Sequence, residues 1–302
     1  MIKKFFVFAF LLSISFTQDK LILQQADLLE SSVINNETIT QLSGNIIFKN
    51  NDTVLKSDFA TQYAKSPLVK LNNNVVIKKE SQTIYCDSLT YNQDSQLFSM
   101  YGNVRIDDKQ RSMQSNKALL NEKTEQITLI ENCQINENNK HQIYGDEIIL
   151  KFENDELNNF EILSGGEIFS TNTGYEKKID GEKGNLIKLE NQNLLKAKHI
   201  LGDIKENQID KVYLEGMAST FIHLYDDSLY QGSNEVSGDS IVISIEDESA
   251  TRLTAKGGTI GRYTPNKFNS SITSPINYSA EVIEFEVDKQ ISQLYGFSPF
   301  PF

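Results

Sequence analysis

Ile84-Tyr85-Cys86-Asp87-Ser88-Leu89-Thr90-Tyr91 changes sides halfway along its length. Ile84 and Cys86 share one parity, Leu89 and Tyr91 the other, so a flat strand with a side-chain period of two cannot bury both pairs. The strand must bend or bulge at Asp87-Ser88, where an irregularity re-aims the side chains that follow. The small Cys86 leaves room for the backbone at such a corner, and the Asp87 carboxylate can accept nearby backbone amides. The same switch recurs at Asp58, Asn116 and Asp146, which gives all four residues a structural role.

The octapeptide is one copy of a repeat. A small residue followed by an acid or amide recurs at Ala26-Asp27, Ser57-Asp58, Ser115-Asn116, Gly145-Asp146, Gly181-Glu182, Gly238-Asp239 and Ala280-Glu281, at first roughly thirty residues apart. A second landmark falls between most of these: Gly44-Asn45, Asn74, Gly102-Asn103, Gly165-Gly166, Gly216 and Gly257-Gly258. Apolar and polar residues alternate around both, and the joining segments, such as Asn92-Gln93-Asp94-Ser95, are polar turns. The pattern predicts an all-β stack of bent strand pairs in which each rung pairs only with its neighbours. Residues 18–155 carry the regular repeats, and 156–290 a second, less regular region. There Gly174-Tyr175-Glu176-Lys177-Lys178 and the stretch Tyr263 to Tyr278 read as loop insertions. Residues 291–302, rich in proline and aromatics, read as an extended tail.

The first residues address the chain. Lys3 and Lys4 precede a mostly apolar run from Phe5 to Phe16, too short for the roughly 20 residues a membrane span needs and suited to a secretory signal. Residues 1–17 therefore read as a signal peptide and the rest as periplasmic, soluble or membrane-associated, with an uncleaved anchor as the alternative. A formal charge of -12 repels nucleic-acid phosphates and anionic membrane surfaces. No nucleophile elbow, phosphate loop or zinc spacing is present, and His141, His199 and His223 are widely separated. The expectation is no enzyme, no catalytic residue, no metal and no cofactor. Cys86 and Cys133 are the only cysteines. Export permits a disulfide, but their different places in the repeat suggest different edges of the structure and two small buried residues.

Two stretches carry a family resemblance. Leu42-Ser-Gly44-Asn45-Ile46-Ile-Phe48 with Leu55-Lys-Ser57-Asp58-x-Ala60, and Tyr101-Gly102-Asn103-Val104-Arg-Ile106 with Ser115-Asn116-x-Ala118-x-Leu120, resemble the OstA-like family of lipopolysaccharide-transport proteins. The pattern recurs with good fidelity from about residue 20 to 170 and more loosely to 290. The resemblance implies a twisted, V-shaped β-jellyroll, single or two in tandem, serving a periplasmic bridge that carries lipopolysaccharide or a related lipid to the outer membrane. The chain is longer than the simplest, LptA-type members. It lacks the spanning helix of LptC-type relatives and the barrel of LptD-type ones. An apolar groove holding acyl chains would be lined by Ile46, Phe48, Leu55, Val75, Ile77, Ile84, Leu89, Val104, Ile106, Leu120, Ile143, Ile148 and Leu150. Partners would be other Lpt-type proteins, or a second copy, joined by end-to-end strand addition. The competing expectation is a β-repeat scaffold or outer-membrane assembly factor whose apolar stripe is a closed core.

Overall fold

The computed structural model describes residues 21–50, 53–79, 82–108, 111–138, 140–153, 156–180, 183–205, 208–246, 249–268, 272–287, 289 and 291–296. The signal at 1–17, the pair Gly181-Glu182 and the end of the tail from 297 lie outside these residues.

Every described element is a strand. The chain divides into two compact units, one ending at Glu137 and taking back Glu147–Asn158, the other made of Asn138–Asp146 and Asn159 onward. The first unit holds β1 (Ile22–Gln25), β2 (Leu28–Ile34), β3 (Glu37–Asn50), β4 (Thr53–Tyr63), β5 (Leu68–Lys79), β6 (Gln82–Asn92), β7 (Leu97–Asp107), β8 (Arg111–Asn121) and β9 (Gln126–Glu137). β10 (His141–Glu153) and β11 (Glu156–Asp180) contribute residues to both units. The second unit continues with β12 (Lys183–Ala197), β13 (His199–Lys205), β14 (Gln208–Asp226), β15 (Leu229–Glu246), β16 (Ser249–Pro265), β17 (Ile276–Glu286) and β18 (Ile291–Tyr295).

Successive long strands of the first unit pair antiparallel from β3 to β9, and β1 and β2 both pair with β3. From β3 to β9 each register jumps once, at the same height in every rung. Ser43 faces Phe59 and Ile46 faces Ser57, so Gly44 and Asn45 together oppose Asp58 alone. Asn73-Asn74 oppose Asp87, and Gly102-Asn103 oppose Asn116, in the same way. Both members of each pair are left-handed: Gly44, Asn45, Asn73, Asn74, Gly102, Asn103, Glu131 and Asn132 all have φ between 47° and 74°. The extra residue therefore belongs to the Gly-Asn strand and not to the acidic one where the parity switch had placed it. Each strand bends there into two halves, and the halves stack into two walls with the apolar residues between them.

The second unit repeats the device with other residues. Left-handed pairs fall at Ser164-Gly165, Gly216-Met217 and Gly257-Gly258. At Ala197-Lys198 a lysine stands where the other rungs have the acid or amide, and the Lys198 amide donates to the Gly216 carbonyl over 2.9 Å. Gly174 to Lys178 is not a loop. It lies in β11, which pairs with β12 over the whole stretch Gly166–Asp180. Tyr175, Leu186 and Ile187 are exposed, because this outer half has no buried face to impose alternation, and its composition then resembles a loop. Tyr263–Pro265 and Ile276–Tyr278 are likewise strand ends. Residues 291–295, expected as tail, form an edge strand on β17 in which Leu294 sits opposite the buried Ile283.

Candidate functional site

The inward walls are the site the sequence pointed to. In the first unit Ile46, Phe48, Leu55, Val75, Ile77, Ile84, Leu89, Val104, Ile106, Ile148 and Leu150 are all at most 5% exposed. Leu120 and Ile143 are only half-buried, and Ile143 falls in the second unit, so neither belongs to this dry surface. Leu120 sits in the last turn of strand before a polar loop, where the wall ends. Sequence reading missed Val69 and Leu71, Phe98 and Met100, and Ile127 and Leu129, which are equally buried. The signal was available: each pair alternates just before a left-handed pair. It also missed the inward set of the second unit, including Ile162, Ile200, Leu214, Ile241 and Ile283, all essentially inaccessible.

Cys86 and Cys133 are free and buried. They do not lie on different edges. Ser57 faces Ile46, Cys86 faces Val75 and Ser115 faces Val104, and Cys133 takes the next place in this row on β9. Three strand spacings of about 4.8 Å separate the two sulfurs by roughly 14 Å, twice the reach of a disulfide. Burial pushes the Cys86 thiol up to about 12, helped by the Asp87 charge.

The corners are built from side chains as well as backbone. Asn45 Nδ2 donates to Asp27 Oδ2 (2.8 Å), Asn74 Nδ2 to Asp58 Oδ2 (2.7 Å) and Asn103 Nδ2 to Asp87 Oδ2 (2.8 Å). Each acid thus binds the asparagine amide of the next rung. At Asn116 the roles reverse, and its amide reaches Glu131 Oε2 over 3.5 Å. Asp146 is exposed on β10. The Asp carboxylates lie over bare glycine: a Cβ on Gly44, Gly102 or Gly257 would come within 2.3 Å of Asp27, Asp87 or Asp239.

One ionisable group lies at the far end of a wall in the first unit. Tyr91 and Phe98 stack at 4.2 Å between ring centroids, and beside them Glu122 carries an Oε2 that is buried without a hydrogen-bond partner. Burial pushes its carboxyl up to about 7 from 4.5, against the lowering effect of Lys79. Because the folded state favours the protonated acid, the stability it allows is fully present below about pH 4.5 and is lost as pH rises through 7. We expect Glu122→Gln to raise the unfolding free energy of the first unit by about 2 kcal/mol at pH 8. It should also remove the decline between pH 5 and 7.5, read from urea unfolding across pH. An unchanged slope would show that this carboxyl is not the responsible group.

The histidines form no catalytic set. His199 Nε2 lies 2.9 Å from Glu161 and Nδ1 3.4 Å from Glu215, across three strands of the second unit. Burial opposes its protonation, but these two carboxylates outweigh it and raise its pKa. His223 is held below its usual value by burial and packs among Phe221 and Tyr230. Among the described residues no group of three or more His, Cys, Asp or Glu could hold a metal ion.

Bent-strand rungs around an apolar interior define an all-β class of repeat domain. Residues 33–138, from the end of β2 through β9, match the family described as lipopolysaccharide-assembly, LptC-related. Among solved structures the chain is similar to LptH, described as the LptA homologous periplasmic component of the conserved lipopolysaccharide transport device from Pseudomonas aeruginosa. The similarity is 14% identity over 35% of this chain and 80% of that chain, with a TM-score of 0.32. No curated protein matches.

Proposed function

We propose that this chain is a non-catalytic periplasmic component of a lipopolysaccharide-transport bridge, and that its inward walls hold acyl chains on the way to the outer membrane. The observation that carries this reading is the predominantly apolar, buried lining of an LptC-related domain. Each buried methylene is worth roughly 0.8 kcal/mol, so one acyl chain gains on the order of 10 kcal/mol by leaving water. The walls bury one another, so a chain enters by parting them, and directed movement draws on an energy source elsewhere.

Exposed sheet edges support a place in a series of proteins. In β2 Leu29 and Val33 are 54% and 71% exposed, and among the described residues no strand pairs with the outer edge of β1 or β2. Among the described residues β18 pairs with β17. Such edges accept a strand from a second copy or another Lpt-type protein.

Photocrosslinking decides between this reading and a closed scaffold, which the near-complete burial of the lining favours. A photoreactive residue at Ile84 or Ile106 is expected to give lipopolysaccharide adducts in cells, and one at the outward Tyr85 or Gln114 none. Adducts to protein only, at all four positions, would favour the scaffold. The closed walls also predict that Cys86 and Cys133 of the folded chain react with a maleimide at pH 8 more than about a hundredfold slower than the denatured chain. Rates within tenfold would mean that the walls stand open.

A further inference from the structure

The two inward walls of the second unit differ in chemistry. On one, Ile200, Leu214, Ile241 and Ile283 present hydrocarbon alone. The other is interrupted by polar groups. Thr220, Asn234 and Thr259 are 2%, 3% and 1% exposed, and all fall at inward positions. Thr220 shares its parity with Ala218, Ile222 and Leu224, while Asn234 faces Ile222 across the β14–β15 pair. Tyr278 runs over Gly261, where a Cβ would meet the ring at 2.1 Å. Its hydroxyl then donates to Asn234 Oδ1 over 2.7 Å.

These groups are not equally satisfied. Thr259 donates to the Ala280 carbonyl, and Tyr278 and Asn234 satisfy one another on one side. The Thr220 hydroxyl is buried with no hydrogen-bond partner. A buried hydroxyl without a partner costs about 1–3 kcal/mol, and a valine would fill the same space without that cost. At the height of Thr220 the inward residues of the first unit are Phe48, Leu55, Ile77, Ile84, Ile106 and Met113, all apolar. Ser57 and Ser115 are also buried on this wall of the first unit, but each donates to a backbone carbonyl, of Phe59 and Lys117. The unpartnered hydroxyl of Thr220 has no counterpart there among the described residues.

We propose that this wall is a polar station for the part of an acyl lipid that carries hydroxyl, ester or amide groups. Thr220 and Asn234 bond that part, and the hydrocarbon lies along the opposite wall. The inference rests on the lipid-holding reading and deepens it, because it gives the second unit a preference for hydroxylated acyl chains over plain ones.

The chain has no tryptophan, so Ile276→Trp places a single reporter at the exposed end of this wall, where Ile276 is 45% exposed. Full-length I276W is titrated with 3-hydroxymyristate and with myristate, each below its micelle-forming concentration, and tryptophan fluorescence is followed. The hydroxylated chain is expected to bind about tenfold more tightly, one good hydrogen bond's worth. In I276W/T220V the preference should fall to within about twofold while myristate binding and the unfolding midpoint are maintained. Tyr278→Phe provides a second test, since it removes the donor that occupies Asn234 without changing the ring. Equal affinities in the parent chain, or a preference that survives Thr220→Val, would overturn the proposal. If neither ligand perturbs the reporter, the polar station is wrong. The transport reading falls with it only if the Ile84 and Ile106 positions also fail to crosslink to lipid.

Discussion

Phe48→Ala is expected to lower the unfolding free energy of the first unit by about 4 kcal/mol, with the full chain still folding at low temperature. Phe48 is fully buried and sits between Leu55 on β4 and Leu23 on β1. Truncating a buried phenylalanine costs roughly 3–5 kcal/mol, part lost transfer and part cavity, because neighbours in a close-packed interior relax only partly. Leu23 is on an edge strand and can move, which keeps the value from the top of that range. Urea unfolding, followed by the near-ultraviolet signal of the tyrosines, measures it. A loss below about 1 kcal/mol would mean that the walls are loosely apposed, and that the lining stands ready for ligand instead of being packed.

Gly102→Ala should cost about 3 kcal/mol, through two separable effects. Gly102 has φ of +74°, and a side chain in the left-handed region costs about 1–2 kcal/mol. The new Cβ would also lie 2.2 Å from Asp87 Oδ2 and 2.9 Å from its Cβ and Cγ. Asp87 can swing away only by giving up its hydrogen bond from Asn103. Most of the second effect disappears if the carboxylate is gone, since only the contact with the Cβ of residue 87 remains. In a double-mutant cycle, Asp87→Ala should therefore make Gly102→Ala cheaper by about 1–2 kcal/mol. Additive losses would show that the corner is held by backbone alone.

These two sites also mark how much could be read from one chain. Phe48 was legible, since alternation around Gly44-Asn45 points it inward, and the core runs of the first unit follow the same rule. Gly102 was legible as a landmark but not as a partner of Asp87. That relation joins residues 15 positions apart in sequence (102 − 87) on adjacent strands. The corner acid seemed destined for backbone amides, and its partner proved to be the asparagine of the next rung. In the second unit the legible pattern failed at Lys198, opposite Gly216, where lysine takes the place of the acid. It failed again along β11 and β12, whose outer halves have no buried side to set a period.

The residues alone determined that strands must bend, roughly how often, and which side chains turn inward, because parity is a local property that one strand displays by itself. Only the tertiary structure decided which strand of each pair carries the extra residue, because two residues opposing one is a statement about register. The same holds for the cysteines, whose distance is a count of strands. It holds too for the polar wall of the second unit: Thr220, Asn234 and Tyr278 lie on three different strands, and nothing short of their packing reveals that one of their hydroxyls is left without a partner.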